Sequence, residues 1–287
     1  MSDSVVADFV ARTFDTTTEQ DEPVQGRVVM NESAVVFATA DHRVTIPLDR
    51  IFDVTVGRVP RDVAEFFQDT VSIGYRRNDA KQVAVVESDA DTVDRFKTVL
   101  FKALLNGTAG LLHHPARVGG RVTGTDAVPA RVFVEPRTVS FRTESDALSL
   151  ALSSVVDFER LVREHQGTKR QVVSVRHIEG TQQVTSEFSL DDERELNLLG
   201  RYLRLEYSEL KEDLAELDLS TEEVEVLVSI YAADGDAAAV VGGAASTASM
   251  VLKDLREKDL VADADDGTTL TTKGRIAVNQ HVGGVNG

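Results

Sequence analysis

The residues best suited to chemistry are a histidine pair and two acidic clusters. His113-His114 precedes Pro115 and could ligate a metal ion, but no third ligand stands at metal-binding spacing. The acids of Asp89-Ala90-Asp91 and of residues 263–266 could supply oxygen ligands to calcium. Neither has the closing glutamate of a calcium loop, and a helix cap or a hairpin turn explains both. We therefore predict no metal and no cofactor.

Motifs for catalysis are absent from the sequence. The chain contains no cysteine, which excludes disulfides and thiolate metal sites. It has no phosphate-binding loop, no dinucleotide fingerprint, no zinc-protease motif and no nucleophile elbow. Because nothing presents a nucleophile, a general base or a cofactor cradle, we predict that the protein is not an enzyme.

The composition is strongly acidic. Asp and Glu outnumber Lys and Arg by 48 to 31, which gives a formal net charge of -17, and arginine is far commoner than lysine. Such a surface is typical of a halophile and repels phosphate at ordinary ionic strength. The opening MSDSVVADF does not resemble a signal peptide, and no apolar stretch approaches the roughly 18 residues that span a bilayer. We predict a cytoplasmic protein without membrane insertion.

An internal repeat organises the chain. Residues 28–54 and 132–158 align without a gap, so that each residue matches the one 104 positions later. Phe37 falls on Phe141 and Asp53 falls on Asp157, and the apolar positions stay in register over the whole window. This agreement predicts a duplicated structural unit.

Each copy of the repeat continues into further alternating strands and ends in an amphipathic helix. Alternation with a period of two predicts half-buried antiparallel strands. The patterns Ser88-x-x-Asp91 and Ser189-x-x-Asp192 predict the two helix caps. Several short strands closed by one helix describe a pleckstrin-homology-like sandwich. We therefore predict two tandem domains of this kind, residues 1–112 and 113–210.

The second of these helices extends past its domain with apolar residues spaced alternately by four and three. Two interpretations stay open: the stripe packs against its own domain, or it forms the seam of a homodimer. The positions concerned are Leu203, Tyr207, Leu210, Leu214 and Leu217.

The remaining segment, residues 211–287, has the element order of a winged helix-turn-helix domain. Ser220-x-x-Glu223 is a capping box ahead of the apolar helix VEVLVSIYA. A second helix is predicted before a glycine turn at Gly242-Gly243, and a third helix follows and ends near Leu260. LVADADDGTTLTT predicts a hairpin with a tight turn at Asp266-Gly267. The predicted fold class of the whole chain is α+β.

The charge of this last segment disfavours nucleic acid as its partner. From Glu216 onward, five basic residues face thirteen acidic ones. Reading DNA requires cations that neutralise phosphates and side chains on the third helix that reach base edges. On that helix, basic residues alternate with acidic ones, and only Arg256 could read a base in the bidentate manner.

The assembled pattern resembles the CheF family of archaeal taxis adaptors over nearly the whole chain. The residues that carry the resemblance are GRVVMNESAVVFAT at 26–39, VTIPLDRIFDV at 44–54, the repetition of both, and LSTEEVEVLVSIYA at 219–232. The resemblance implies a homodimeric adaptor between the phosphorylated response regulator CheY and the switch complex at the cytoplasmic base of the archaellum, with the regulator docking on the carboxy-terminal domain.

Two further interpretations stay beside this one. The first is a transcription regulator of winged-helix type whose β domains sense a ligand. The second is membrane recruitment, which needs a basic pocket where the sequence shows only scattered arginines, such as Arg76 and Arg77. For an adaptor, apolar anchors beside a cation suit a transient interface, which predicts partner binding on the third helix by Val251, Leu252, Leu255, Arg256 and Lys258.

Overall fold

The structure of the protein is a computed structural model. It describes residues 4–18, 22–57, 69–165, 167–179, 182–215, 217–232, 245–264 and 267–283. Within these ranges the chain forms antiparallel sheets accompanied by a few helices. The predicted α+β class is therefore confirmed. None of the described helices is long and apolar enough to cross a membrane.

The first sheet has seven strands in the order β4-β3-β2-β1-β7-β6-β5. Every neighbouring pair is antiparallel. The strands, followed by the first helix, are β1 Val5–Asp15, β2 Val24–Asn31, β3 Ala34–Ala38, β4 Arg43–Pro47, β5 Ile51–Val56, β6 Thr70–Arg77, β7 Ala80–Glu87 and α1 Ala90–Leu105.

The second sheet follows the order β12-β11-β10-β8-β15-β14-β13, and the short β9 pairs with β8. Its elements, followed by the second helix, are β8 Thr108–Val118, β9 Arg121–Val122, β10 Val128–Glu135, β11 Thr138–Arg142, β12 Ala147–Ala151, β13 Val155–His165, β14 Thr168–Glu179, β15 Gln182–Leu190 and α2 Glu193–Ala215.

The predicted repeat is confirmed in the order and length of the strands. Strands β2, β3 and β4 recur as β10, β11 and β12 with both ends shifted by the same spacing as the sequence repeat. The pairing recurs as well, because Val28 lies opposite Phe37 and Val132 lies opposite Phe141. These side chains are buried in both copies. Equivalent apolar residues therefore build equivalent cores, as period-two alternation requires.

The predicted caps of the first two helices are each wrong in position. Helix α1 is capped by Asp89, whose carboxylate accepts the amide hydrogen of Thr92 at 3.0 Å. At α2, Asp192 accepts the amide hydrogen of Arg194 at 2.7 Å, while Ser189 belongs to strand β15. Strand β7 ends before Ser88, but helix α1 begins one residue later than the serine pattern predicts, whereas strand β15 extends past Ser189. In both places the aspartate next to the first helical residue becomes the cap.

The C-terminal region comprises the described residues from 217 to 283. Its elements are α3 Thr221–Ala232, α4 Ala245–Glu257, β16 Val261–Ala264, β17 Gly267–Leu270 and α5 Thr272–Gly283. Strands β16 and β17 pair as the predicted hairpin, with Val261 opposite Leu270. The predicted second helix and its glycine turn lie outside the described residues. The core of the region joins the end of α2 to α3, α4, the hairpin and α5.

The chain divides into two compact units. The first contains Met1–Leu111, Val128–Leu148 and Ser189–Leu205, and the second contains Leu112–Ala127, Ser149–Phe188 and Glu206–Gly287. The three domains expected from the sequence, 1–112, 113–210 and 211–287, stay a prediction.

Candidate functional site

The five residues predicted to bind a partner occupy different environments on α4 and just after it. Leu255 is fully buried in the core of the C-terminal region. Val251 and Leu252 are half-buried and pack against the same core. Arg256 is exposed, and Lys258 is half-buried. Leu255 is therefore a core residue in this structure, while binding through the accessible members stays a prediction.

Arg256 joins α4 to the hairpin. Its guanidinium donates to Asp263 Oδ1 at 3.0 and 2.6 Å, and to the Thr268 hydroxyl at 3.2 Å. The Arg256 side chain is 38% exposed and that of Asp263 is 74% exposed. Because such exposed pairs add little stability, the main consequence is geometric: the side chain best suited to reading a base is already engaged by a carboxylate.

Lys258 completes a network around the cap of α3. The predicted capping box is confirmed, since Ser220 N–H donates to Glu223 Oε2 at 2.8 Å and Glu223 N–H donates to Ser220 Oγ at 3.2 Å. Lys258 Nζ donates to both carboxylate oxygens of Glu223 at 2.8 Å. Burial opposes ionisation of Glu223, but the hydrogen bonds from Lys258 and Ser220 outweigh it and lower the pKa of this carboxyl.

The lowered pKa of Glu223 predicts a pH-dependent stability. The ion pair contributes fully above the ordinary glutamate pKa of about 4.3, and its contribution is lost as the pH falls through the lowered value. Replacing Lys258 by methionine leaves a buried carboxylate without its cation. We expect the free energy of unfolding at pH 7 to fall by about 1–3 kcal/mol, and its acid dependence to change. Denaturant titrations between about pH 3 and about pH 7 measure both effects, because this range includes the ordinary glutamate pKa of about 4.3.

Lys253→Met is the matched control for this prediction. Lys253 lies 3.6 Å from Glu257, but these two side chains are 74% and 66% exposed. An exposed pair of this kind contributes about 0–1 kcal/mol, so the control variant should unfold nearly as the parent does. Equal losses in the two lysine variants would contradict the assignment of Lys258 to the buried network.

The cations of the C-terminal region are thus largely neutralised by its own acids. Lys253, Arg256 and Lys258 each form an ion pair with a carboxylate of the same region. Lys273 Nζ donates to the carbonyl oxygen of Lys258 at 3.2 Å. Within the described residues, these contacts leave Lys253, Arg256, Lys258 and Lys273 engaged, whereas phosphate binding requires a row of free cations.

The predicted dimer seam is mostly buried within one chain. Leu203, Leu210 and Leu214 are each at most 5% exposed. Tyr207 stacks edge to face on Phe158, with ring centroids 5.7 Å apart. Leu217 packs against the core of the C-terminal region. These positions agree with the alternative of packing within the chain, and the dimer stays a prediction.

Among the described residues of the C-terminal region, two large apolar side chains are exposed, and both lie elsewhere on its helices. Met250 on α4 is 68% exposed and Tyr231 on α3 is 43% exposed. Met250 and Lys253 are three residues apart, which places them on one face of α4. An exposed methionine beside charged residues is a common anchor at adaptable binding surfaces.

Of the histidine pair, His114 belongs to a polar cluster with His177 and Ser186. His114 Nδ1 lies 2.8 Å from Ser186 Oγ, and His177 Nε2 lies 2.9 Å from the same oxygen. Burial and the neighbouring His114 lower the pKa of His177, against the opposing effect of Glu179. His177 is therefore neutral near pH 7 and shares the serine as a hydrogen-bond partner. In the described part of the chain, no group of three or more His, Cys, Asp or Glu side chains is arranged to hold a metal ion.

A cationic groove of about 520 Å³ was not predicted from the sequence. It lies in the first unit, between the first turns of α2 and strands β5 to β7. Arg76 was expected to be one of several scattered arginines, but it lies here among other cations. The groove is defined by its basic residues, Arg50, Arg76, Lys81, Arg194, Arg201 and Arg204.

Comparison with known proteins identifies the family. The model of the archaeal chemotaxis signal transduction system protein F matches residues 5–209. The chain belongs to the CheF family. Taxis protein CheF2 of Halobacterium salinarum is 45% identical over 288 residues, covering 100% of both chains. Taxis protein CheF1 of the same organism is 23% identical over 208 residues, covering 72% of this chain and 69% of its own.

The solved structures include a distant match to the inner membrane complex sub-compartment protein 3 of Toxoplasma gondii. That match has a TM-score of 0.26 and 11% identity, and it covers 36% of this chain and 75% of the other.

The CheF family model ends at residue 209, before the C-terminal region, whereas the alignment with CheF2 extends over that region as well. The chain is therefore an archaeal taxis signal transduction protein with a C-terminal region that CheF2 shares.

Proposed function

We propose that this CheF-family protein is a non-enzymatic adaptor that couples phosphorylated CheY to the switch complex of the archaellum. The regulator binds the C-terminal region, and the β-sheet part binds the switch complex at the cytoplasmic base of the motor. The observation that carries the proposal is the full-length relation to a taxis protein.

The finer architecture is part of the same proposal. Two pleckstrin-homology-like domains, 1–112 and 113–210, present the repeated strands, and a winged helix-turn-helix domain occupies 211–287. The shared strand spacing of the two copies supports the first assignment. The order α3, α4, hairpin supports the second.

The exposed face of α4 is the proposed contact for the regulator. Met250 supplies an apolar anchor, and Val251 and Leu252 support it from their half-buried positions. Lys253 and Arg256 add charge at the rim, where polar residues steer association more than they strengthen it. Leu255 acts indirectly by holding α4 on its core.

Signalling requires a difference in affinity between the two states of the regulator. An adaptor biases the motor only when it binds phosphorylated CheY better than the resting form. A coupling free energy of about 1–3 kcal/mol, or roughly 5- to 150-fold in affinity, is typical of such switches. The DNA-binding alternative is not favoured, because the C-terminal cations are engaged by carboxylates.

Titration of the full-length protein with the organism's CheY tests the proposal. We expect the dissociation constant to fall roughly 5- to 150-fold when the regulator carries a phosphoryl mimic. Met250→Glu should weaken this binding, because it places an uncompensated charge at the apolar anchor. Val10→Glu is the matched control, since Val10 is also exposed, at 58%, and lies in β1.

Two results would contradict the proposed function. The first is equal affinity of the protein for the two states of CheY. The second is tight binding to genomic DNA that declines steeply with salt, which would instead support the transcription regulator.

A further inference from the structure

The cationic groove is built by a helix that is tied to the first sheet through its arginines. Arg194 Nη1 donates to the carbonyl oxygen of Ile51 at 2.8 Å. Arg201 forms a two-pronged pair with Asp53, at 2.9 and 3.1 Å. Two of the six cations are therefore used to fasten α2 to β5, since their partners are residues of that strand.

The other cations of the groove are not neutralised in this way. Arg76 and Lys81 lie directly opposite each other on β6 and β7, and like charges in that position repel. Both lie near the Phe52 ring, at 5.9 and 5.8 Å from its centroid. Arg204 forms no ion pair with a described residue, and Arg50 lies 3.9 Å from Asp49. An anion in the groove would relieve this repulsion.

The second copy of the repeat lacks these features. By the strand alignment, Arg76 and Lys81 correspond to Ile178 and Gln183, which face each other across β14 and β15. Gly74 corresponds to Arg176, which pairs with Asp157 at 2.5 Å within its own sheet.

Phe52 and Gly74 belong together in the first copy. A Cβ atom at Gly74 would lie 3.2 Å from the ring of Phe52, so the glycine leaves room for that ring. The position of Phe52 is taken by Val156 in the second copy. The two copies therefore differ here, because only the first has an aromatic ring beside unpaired cations at this position.

We propose that the cationic groove binds an acidic segment of a protein partner. Arg50, Arg76, Lys81 and Arg204 are exposed, and exposed ion pairs are individually weak. Useful affinity therefore needs several contacts spaced along an extended ligand. The groove is also lined by Asp53, which is paired with Arg201, and by Asp49 and Glu193, whose negative charges oppose a compact polyphosphate. Carboxylates spread along a polypeptide can lie beside the cations and avoid these acids.

The inference rests on the proposed function, which assigns a protein partner to the β-sheet part. The test of the groove uses a synthetic probe and no taxis protein, so the inference and the proposed function can fail separately. The probe is a fluorescent peptide in which glutamate alternates with serine, and the reference peptide has glutamine in place of glutamate. Fluorescence anisotropy with the full-length protein at low salt measures their binding, because low salt preserves exposed charge interactions.

The decisive comparison uses two double variants with the same change in net charge. Arg76→Glu with Lys81→Glu reverses the charge of two groove residues, and we expect this double variant to bind the acidic peptide at least about ten-fold more weakly. The control is Arg43→Glu with Arg77→Glu. Arg77 follows Arg76 on β6, so its side chain points to the opposite face of the sheet. Arg43 lies on β4, at the other edge of the sheet.

Three results would overturn the inference. The first is equal weakening by the groove and control variants, which would indicate attraction by the overall field. The second is equal binding of the acidic and glutamine peptides. The third is displacement of the acidic peptide by inorganic tripolyphosphate at a lower concentration than by unlabelled acidic peptide, which would assign the groove to a phosphate ligand. Circular dichroism of each variant confirms that the sheets are retained.

Discussion

Replacing Leu255 by alanine is expected to lower the free energy of unfolding of the C-terminal region by about 2–5 kcal/mol. Leu255 is 0% exposed and lies in the cluster that joins α3, α4, the hairpin and α5. Removing its methyl groups leaves a cavity that the surrounding helices fill only in part. Guanidinium denaturation followed by circular dichroism measures the loss, and hydrogen exchange should locate it to residues 245–264.

Met250→Ala is the control on the same helix. Its side chain is 68% exposed, so its truncation should change stability by less than about 0.5 kcal/mol. The same pair of variants separates folding from binding. Met250→Ala should weaken binding of CheY while the protein stays folded, whereas Leu255→Ala should weaken binding only as far as α4 unfolds. A stable Leu255→Ala protein with no affinity for the regulator would place Leu255 in the interface instead.

The second large effect is expected at the matched phenylalanines of the repeat. Phe37 and Phe141 are 3% and 2% exposed, and each lies opposite a buried valine of the neighbouring strand. Truncation of either one to alanine should cost about 3–5 kcal/mol, because it removes a buried ring and leaves a cavity. Denaturant titrations of the two variants should give losses of similar size, since the two rings occupy equivalent positions.

Phe133→Ala provides the control for these two variants. Phe133 is only half-buried and lies under Arg142, whose guanidinium carbon is 4.2 Å from the ring centroid. Losing a contact of this kind at an exposed site costs about 0.5–1 kcal/mol in addition to the small area buried. If Phe133→Ala destabilises the protein as much as Phe141→Ala does, burial of the ring does not explain the size of the losses.

The electrostatics of the protein support different partners for its two ends. In the C-terminal region, Lys253, Arg256 and Lys258 are paired with acids of the same region, and the exposed Met250 is the proposed apolar anchor. In the first unit, the cationic groove keeps unpaired cations although the chain carries a net charge of -17. Because the protein as a whole is acidic and repels anions, the groove attracts anions only locally.

Some elements of the site could be predicted in part from the sequence. Asn78-Asp79 is a residue pair typical of tight hairpin turns, and this turn brings Arg77 opposite Ala80 and Arg76 opposite Lys81. The like-charged pair could thus have been found from the turn alone. The remaining cations of the groove could not, because Arg201 meets Asp53 across 148 positions of the chain. No periodicity in either segment records that contact.

The amino-acid sequence alone determined the repeat, the Ser220–Glu223 capping box, the C-terminal hairpin and the acidic character of the protein. These depend on period-two alternation and on hydrogen bonds between near neighbours, which act within a few residues. The tertiary structure decided that Leu255 and the leucines of α2 are buried, that aspartates cap α1 and α2, and that arginines of α2 line a groove with β5 to β7. Burial and charge pairing depend on which distant segments pack together, and that is settled only when the whole chain is folded.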